Sequence, residues 1–168
     1  MTTLYGDIVL QETLDTTEFL RGKLLKVTRH LRMLNKDSEY SGKLKLYQSI
    51  PGVGLIMAVT LLTELEEIRR FKKLDQLCSY VGLVPRTDSS GEKDKTGPIT
   101  PRSNKPLRSC IVESAWIASR TDPSLILSFN QLCRRMKPTE AIIRIAKKLL
   151  NRIRYVINNE TAYVQAVV

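Results

Sequence analysis

Two adjacent serines, Ser89 and Ser90, stand before Gly91 in the stretch VPRTDSSGEKDKTGPITPRSNKPLR, residues 84–108. A glycine neighbour gives the backbone the freedom to present a hydroxyl. Arg86, Lys93, Lys95, Arg102, Lys105 and Arg108 surround the pair in sequence. The single histidine, His30, sits in a Leu-rich periodic stretch elsewhere, so a serine attacking a carbonyl would lack its usual base. Attack on a phosphodiester poses a different problem. The charge that develops is negative and needs cations, and arginine offers paired donors to phosphate oxygens. Ser-Ser-Gly is also an ordinary loop sequence. On these residues alone, a solvated linker and a phosphate-facing reactive loop both stay open.

The balance of charge favours an anionic partner. The chain has 168 residues, a net charge of +10 and a pI near 9.7, which points first to nucleic acid and second to an acidic membrane surface. With 42% hydrophobic and 26% charged residues it can bury a core. Cys78, Cys110 and Cys133 are widely spaced and form no C-x-x-C pair. That usage predicts reduced thiols, a cytoplasmic protein and no metal site. No 18-residue apolar run is present, so no membrane span is expected, and the favoured partner is nucleic acid with no membrane. The acidic N-terminus lacks the basic region of a secretory signal.

The elements that must position the loop read as mostly α. Residues 1–42 form an N-terminal, coiled-coil-like segment and residues 43–168 a compact helical domain. Leu20, Leu24, Val27, Leu31 and Leu34 are spaced 4, 3, 4 and 3. This a/d stripe sits on a long helix ending near Asp37 and suits either a second copy or the chain's own domain. Pro51-Gly52-Val53-Gly54 then turns between two helices, with Leu55, Ala58, Val59, Leu62 and Leu65 on one face of the second. The pattern looks like a helix-hairpin-helix motif, in which glycines allow close approach and helix N-terminal amides meet a phosphate oxygen. A short helix over residues 74–80 stops at Gly82.

Another helix is predicted over residues 105–120, with Leu107, Cys110, Ile111, Ser114, Ala115 and Ala118 inward and Trp116 as a packing anchor. Asp122-Pro123 starts the next helix, and Thr139 can cap the last. Ile142, Ile145, Ala146, Leu149, Ile153 and Val156 or Ile157 line the last helix's apolar face. Its other face carries Arg144, Lys147, Lys148 and Arg152, a plausible track for a phosphate backbone and equally a solvated helix face. No run alternates convincingly as a strand.

Three segments in order carry a resemblance: SIPGVGLIMAVTLLTEL, FKKLDQLCSYVGLVPRTDSSGEKDKTGPIT and LRSCIVESAWIA. With SFNQLCRRMKPTEAIIRIAKKLL near the end, they resemble the C-terminal transposase domain of bacterial insertion-sequence transposases. These are DEDD-type, bridge-RNA-guided recombinases that also use a serine. The resemblance runs from about Gln48 to Tyr163. It implies DNA transposition by site-specific recombination, with Ser90 as nucleophile and Ser89 as its adjacent alternative. The serine would form a covalent phosphoserine link to DNA. Arg86, Arg102 and Arg108 would stabilise phosphate charge and Asn104 would shape the loop. Gly52, Val53, Gly54, Lys93, Lys95, Lys105, Arg144, Lys147, Lys148 and Arg152 would hold nucleic acid. Ser103 stands where the family commonly has glycine.

Relatives of this kind also carry an N-terminal RuvC-like domain with four acidic metal ligands, and the resemblance, which starts near Gln48, leads to the expectation that residues 1–168 do not include it. The resemblance therefore implies no cofactor in this chain, with magnesium expected only in that domain. It implies that the chain alone does not complete recombination. The expected partners are DNA, as insertion-sequence ends and target, a guide RNA, and a second copy through the N-terminal helix, in a nucleoid-associated bacterial protein. The alternative is a non-catalytic DNA- or RNA-binding remnant, or a regulator of full-length transposase.

Overall fold

The computed structural model describes residues 4–90, 93–100 and 103–165, with the side chains of 86–98 left undescribed. The chain forms two compact units, residues 1–41 and 42–168. The first unit is essentially one helix, α1 (Leu4–Leu34), whose 31 residues reach about 46 Å at 1.5 Å per residue. Thr13 and Thr17 donate their hydroxyls to the carbonyls of Val9 and Thr13, both at 2.7 Å. None of its residues is buried, and Leu20, Leu24 and Val27 of the a/d stripe are exposed.

The helical domain contains α2 (Ser41–Gln48), α3 (Leu55–Leu65), a 3-10 turn (Ile68–Arg70) and α4 (Leu74–Val81). A two-stranded antiparallel ribbon, β1 (Pro85–Ser90) and β2 (Lys93–Ile99), follows. Then come α5 (Lys105–Thr121), α6 (Pro123–Cys133) and α7 (Pro138–Asn159). α5 is the hub and packs against α3, α4, α6 and α7. Leu107, Ile111, Ala115 and Ala118 of α5 are fully buried, as are Ile145, Ala146, Leu149 and Ile153 of α7. Both faces match the helical periodicity of the sequence.

Several expectations need correction. The polar stretch between α4 and α5 is a β-hairpin, where no strand was expected. Its pairing runs from Pro85 opposite Ile99 to Ser90 opposite Lys93, with a register shift between Pro85 and Thr87. A two-stranded ribbon is formed by backbone hydrogen bonds and has no core of its own, so its residues need not alternate apolar with polar. On α3, the buried residues are Met57, Ala58, Leu61 and Leu65, whereas Leu55, Val59 and Leu62 are only half-buried. That helix is apolar almost all round, so spacing does not choose its inner face. The last helix has Lys137 at its N-cap position, with no side-chain cap bond, and Pro138 in its first turn, two residues before the expected cap Thr139.

Caps hold the joints near the hairpin. Gly82, at φ +83, closes α4, and the amides of Gly82 and Leu83 both donate to the Cys78 carbonyl at 2.9 and 2.8 Å. A Cβ on Gly82 would lie 2.0 Å from the Cβ of Ser103. The bare glycine therefore makes room for the serine, which stands where the resembling family commonly has glycine. Among the described residues no helix is long and apolar enough to cross a membrane.

Candidate functional site

The hairpin is held at its base. The Arg108 guanidinium, from the first turn of α5, donates to the carbonyls of Thr100 at 3.1 Å and Gly82 at 3.4 Å. Those two carbonyls flank the ribbon on either side. The Thr100 amide closes the base by donating to the Val84 carbonyl at 3.2 Å. Asn104 caps α5 by accepting from the Leu107 amide at 3.1 Å, and its side-chain amide donates to the Glu64 carboxylate. Tyr80 donates its hydroxyl to the Glu64 carbonyl at 3.1 Å. Glu64 thus ties α3 to both ends of the segment that carries the ribbon.

Ser89 and Ser90 occupy the last two positions of β1, opposite Asp94 and Lys93, next to where the chain reverses. Their side chains, and those of Arg86, Lys93 and Lys95, lie outside the described residues, as does all of Arg102. Lys105 opens α5 in an exposed position.

The Pro51–Gly54 turn divides by residue. Gly52 has φ +86, and a Cβ there would meet the Ser114 carbonyl oxygen at 2.3 Å, so this glycine serves close packing on α5. Val53 is buried. Gly54 is the exposed N-cap of α3 and has nothing within 4 Å of a would-be Cβ. Of the three, Gly54 is the most exposed, Gly52 is half-buried and Val53 is buried.

The basic residues also separate. Arg152 forms an ion pair with the buried Asp122 at 2.8 Å, bonds Ser124 and lies 5.2 Å from the Tyr163 ring centroid. It is committed to the fold. Arg154 donates to the carbonyls of Phe71 and Lys72, Arg70 stacks on Phe71 and Tyr80, and Arg69 pairs with Glu160 at 2.7 Å. Lys148 donates to the Ser128 hydroxyl at 2.8 Å. Arg144 and Lys147 remain on the wall of a groove that also meets Arg108 and the ends of the ribbon at Pro85 and Ile99. Trp116, Glu113, Thr139 and Glu140 line it too. The sequence marks Thr139 as a helix cap and Trp116 as a packing residue, and Trp116 does pack edge-to-face on Phe129 with centroids 5.6 Å apart.

Other chemistry finds little footing. Burial raises the thiols of Cys78 and Cys110, which keeps both protonated and poorly nucleophilic near neutrality. Among the described residues no three His, Cys, Asp or Glu side chains come together to hold a metal.

The sequence profile described as transposase IS116/IS110/IS902 family matches residues 44–129, from α2 through the hairpin and α5 into α6. The chain belongs to that family. It is 30% identical over 137 residues to the transposase for insertion sequence element IS1111A of Coxiella burnetii, covering 71% of this chain and 37% of that protein. It is 44% identical over 69 residues to the putative transposase y4qE of Sinorhizobium fredii, 41% of this chain and 18% of the relative. A protein of insertion element IS110 from Streptomyces coelicolor is 31% identical over 117 residues, 68% of this chain and 29% of its own length. The family member described here therefore spans well under half of each of these relatives. The matched region contains the whole hairpin and the Arg108 clamp.

Proposed function

We propose that this family member supplies the serine-bearing part of a DNA transposition site. The observation that carries the reading is the position of Ser89 and Ser90 at the turn end of a ribbon whose base is clamped by Arg108, beside a groove edged by Arg144 and Lys147. A nucleophile on a supported ribbon can be brought to a phosphodiester while cations on the helices hold the backbone.

In the proposed step the Ser90 hydroxyl oxygen attacks phosphorus and a phosphoserine bond forms. One phosphodiester P–O bond breaks, and the serine proton is balanced by protonation of the departing deoxyribose oxygen. Arg86, Arg102 and Lys93 would neutralise the charge that develops on the phosphate. Arg108 acts differently, as a positioning residue, since its donors already go to backbone carbonyls. Gly54 and the first amides of α3 would hold flanking phosphate as the accessible half of a helix-hairpin-helix contact. A guide RNA and a partner domain bearing magnesium belong to this same reading.

The test uses a suicide duplex from the end of the protein's own element, with a bridging phosphorothiolate at the scissile position so that attack cannot reverse. The expected result is a denaturation-resistant protein–DNA adduct with the chain and with Ser89→Ala, and none with Ser90→Ala. An adduct that survives Ser90→Ala sinks the assignment. If salt-dependent binding occurs with no adduct from any form, the non-catalytic nucleic-acid-binding reading replaces it.

The exposed a/d stripe of α1 is proposed to pair with a second copy. Sedimentation should give a larger species for the chain than for Leu20→Glu/Leu24→Glu. Equal masses would remove the pairing.

A further inference from the structure

The groove beside the hairpin has a volume of about 1170 Å3 and runs between the ribbon's base and residues of α5 and α7. Its make-up is more than a phosphate track requires. Val112 and Ile143 give it apolar surface and Trp116 gives it an aromatic one, while Arg144 and Lys147 bring positive charge. Glu113 and Glu140 bring carboxylates into the same wall. Among the described residues no ion pair joins either cation to either carboxylate, so both kinds of group are left for a ligand.

A bare sugar-phosphate backbone would use the cations, gain nothing from the indole and be repelled by the carboxylates. A nucleotide with its base out of the stack uses all three. Its base can lie against the indole and Val112, its phosphates can meet Arg144 and Lys147, and its exocyclic amino group can donate to Glu113 or Glu140. The volume slightly exceeds the roughly 300–1,000 Å3 of ordinary ligand pockets, so the groove has room for a base with its adjoining phosphates.

We propose that the groove takes an unpaired nucleotide of the DNA, with preference for cytosine or adenine over thymine because the two carboxylates accept from an exocyclic amino group, which thymine lacks. The inference rests on the DNA-binding reading above and adds where and how one strand is held apart beside the serine hairpin. Taking a base out of the duplex costs stacking and pairing, and a groove of this kind offsets that cost at the base of the ribbon whose far end carries the serines.

Trp116 is the chain's only tryptophan, so its fluorescence reports directly on the groove. The probes are fluorescein-labelled dC8, dA8 and dT8, an eight-unit abasic phosphodiester and a blunt duplex. Anisotropy of the label measures binding, and indole emission measures groove occupancy. The expected result is quenching by dC8 and dA8, less by dT8, and none by the abasic strand. Trp116→Leu should weaken dC8 binding about tenfold and leave duplex binding unchanged. Arg144→Ala is the second variant, on an exposed helix position that does not threaten folding. It should weaken dC8 while the residual complex still quenches. Glu113→Gln/Glu140→Gln should erase the preference for dC8 over dT8. Single-strand binding by anisotropy without quenching, or abasic binding as tight as dC8, overturns the groove inference and leaves the nucleic-acid reading standing. No anisotropy change with any probe, duplex included, overturns both.

Discussion

Replacing Asp122 with alanine should lower the stability of the helical domain by about 3–5 kcal/mol, the range for stripping one partner from a buried ion pair. Asp122 is 1% exposed and caps α6. Its carboxylate accepts from the Leu125 amide at 3.0 Å, the Ser124 hydroxyl at 2.9 Å and the Tyr163 hydroxyl at 2.7 Å, and pairs with Arg152 at 2.8 Å. Burial by itself would raise this carboxyl. The bonds from Tyr163, Arg152, Leu125 and Ser124 outweigh it and bring the group down to about 2. The alanine variant loses the cap and leaves a largely buried guanidinium and the Tyr163 hydroxyl without their acceptor. It also frees the segment after α7, which is otherwise tied down by Tyr163 and by its amide donating to Ser49 Oγ at 2.9 Å.

The pH dependence follows in sign. A carboxyl lowered in the folded state contributes stability that is complete above its unfolded value near 3.9 and is lost as pH falls toward 2. Lowering the carboxyl from 3.8 to about 2 corresponds to roughly 2.5 kcal/mol. Tyr163 titrates the other way. Burial first, and then the hydrogen bond to Asp122, push it up to about 12, so its contribution is complete below 10 and lost as pH rises through 12. Urea melts of the wild type, Asp122→Asn and Asp122→Ala from pH 2 to 7 check the acid side of this dependence. Asp122→Asn should lack the acid limb and keep part of the cap. A loss below about 1 kcal/mol for Asp122→Ala at pH 7 would refute the account of the network.

The second large effect is expected at Gly52. Alanine there must adopt φ +86, and its Cβ would press on backbone atoms of α5, the Ser114 oxygen at 2.3 Å and the Ala118 nitrogen at 3.0 Å. Backbone of a packed helix cannot swing aside as a side chain can. Strain in the left-handed region costs about 1–2 kcal/mol and overpacking about 1–3, so a loss of roughly 2–5 kcal/mol is expected. Gly54→Ala is the matched control. Its φ is −82 and the space is open, so stability should move by no more than about 0.5 kcal/mol. Thermal melts of the two variants decide. Equal stability would mean that the turn does not sit against α5. Duplex affinity of Gly54→Ala then reads the phosphate contact on a folded protein.

These two glycines illustrate what a single sequence can and cannot convey. Pro-Gly-Val-Gly announces a tight turn, and both glycines looked suited to close approach. What approaches Gly52 is Ser114, 62 positions along the chain. The same limit applies to Arg152. On α7 it reads as one more cation of a charged face, because its partner Asp122 is 30 positions away and looks like a plain helix cap. Arg108 looked like a phosphate ligand, but its distance to two carbonyls makes it a clamp. Glu113 and Glu140 carried no local signal at all, since exposed glutamates on helices are common and only the approach of α5 to α7 brings them to one groove.

By itself the sequence determined the helices and most of their inward faces, because a 3.6-residue apolar period and end signals such as Asp122-Pro123 and Gly82 are local properties. It also determined the family, because SIPGVG, the serine stretch and LRSCIVESAWIA occur in a specific order. Tertiary structure alone decided that the serine stretch is a hairpin, which cations are spent on the fold and which face the groove. Those outcomes depend on backbone pairing across a turn and on contacts between residues as far as 91 positions apart. Spacing along the chain does not reveal which partners meet.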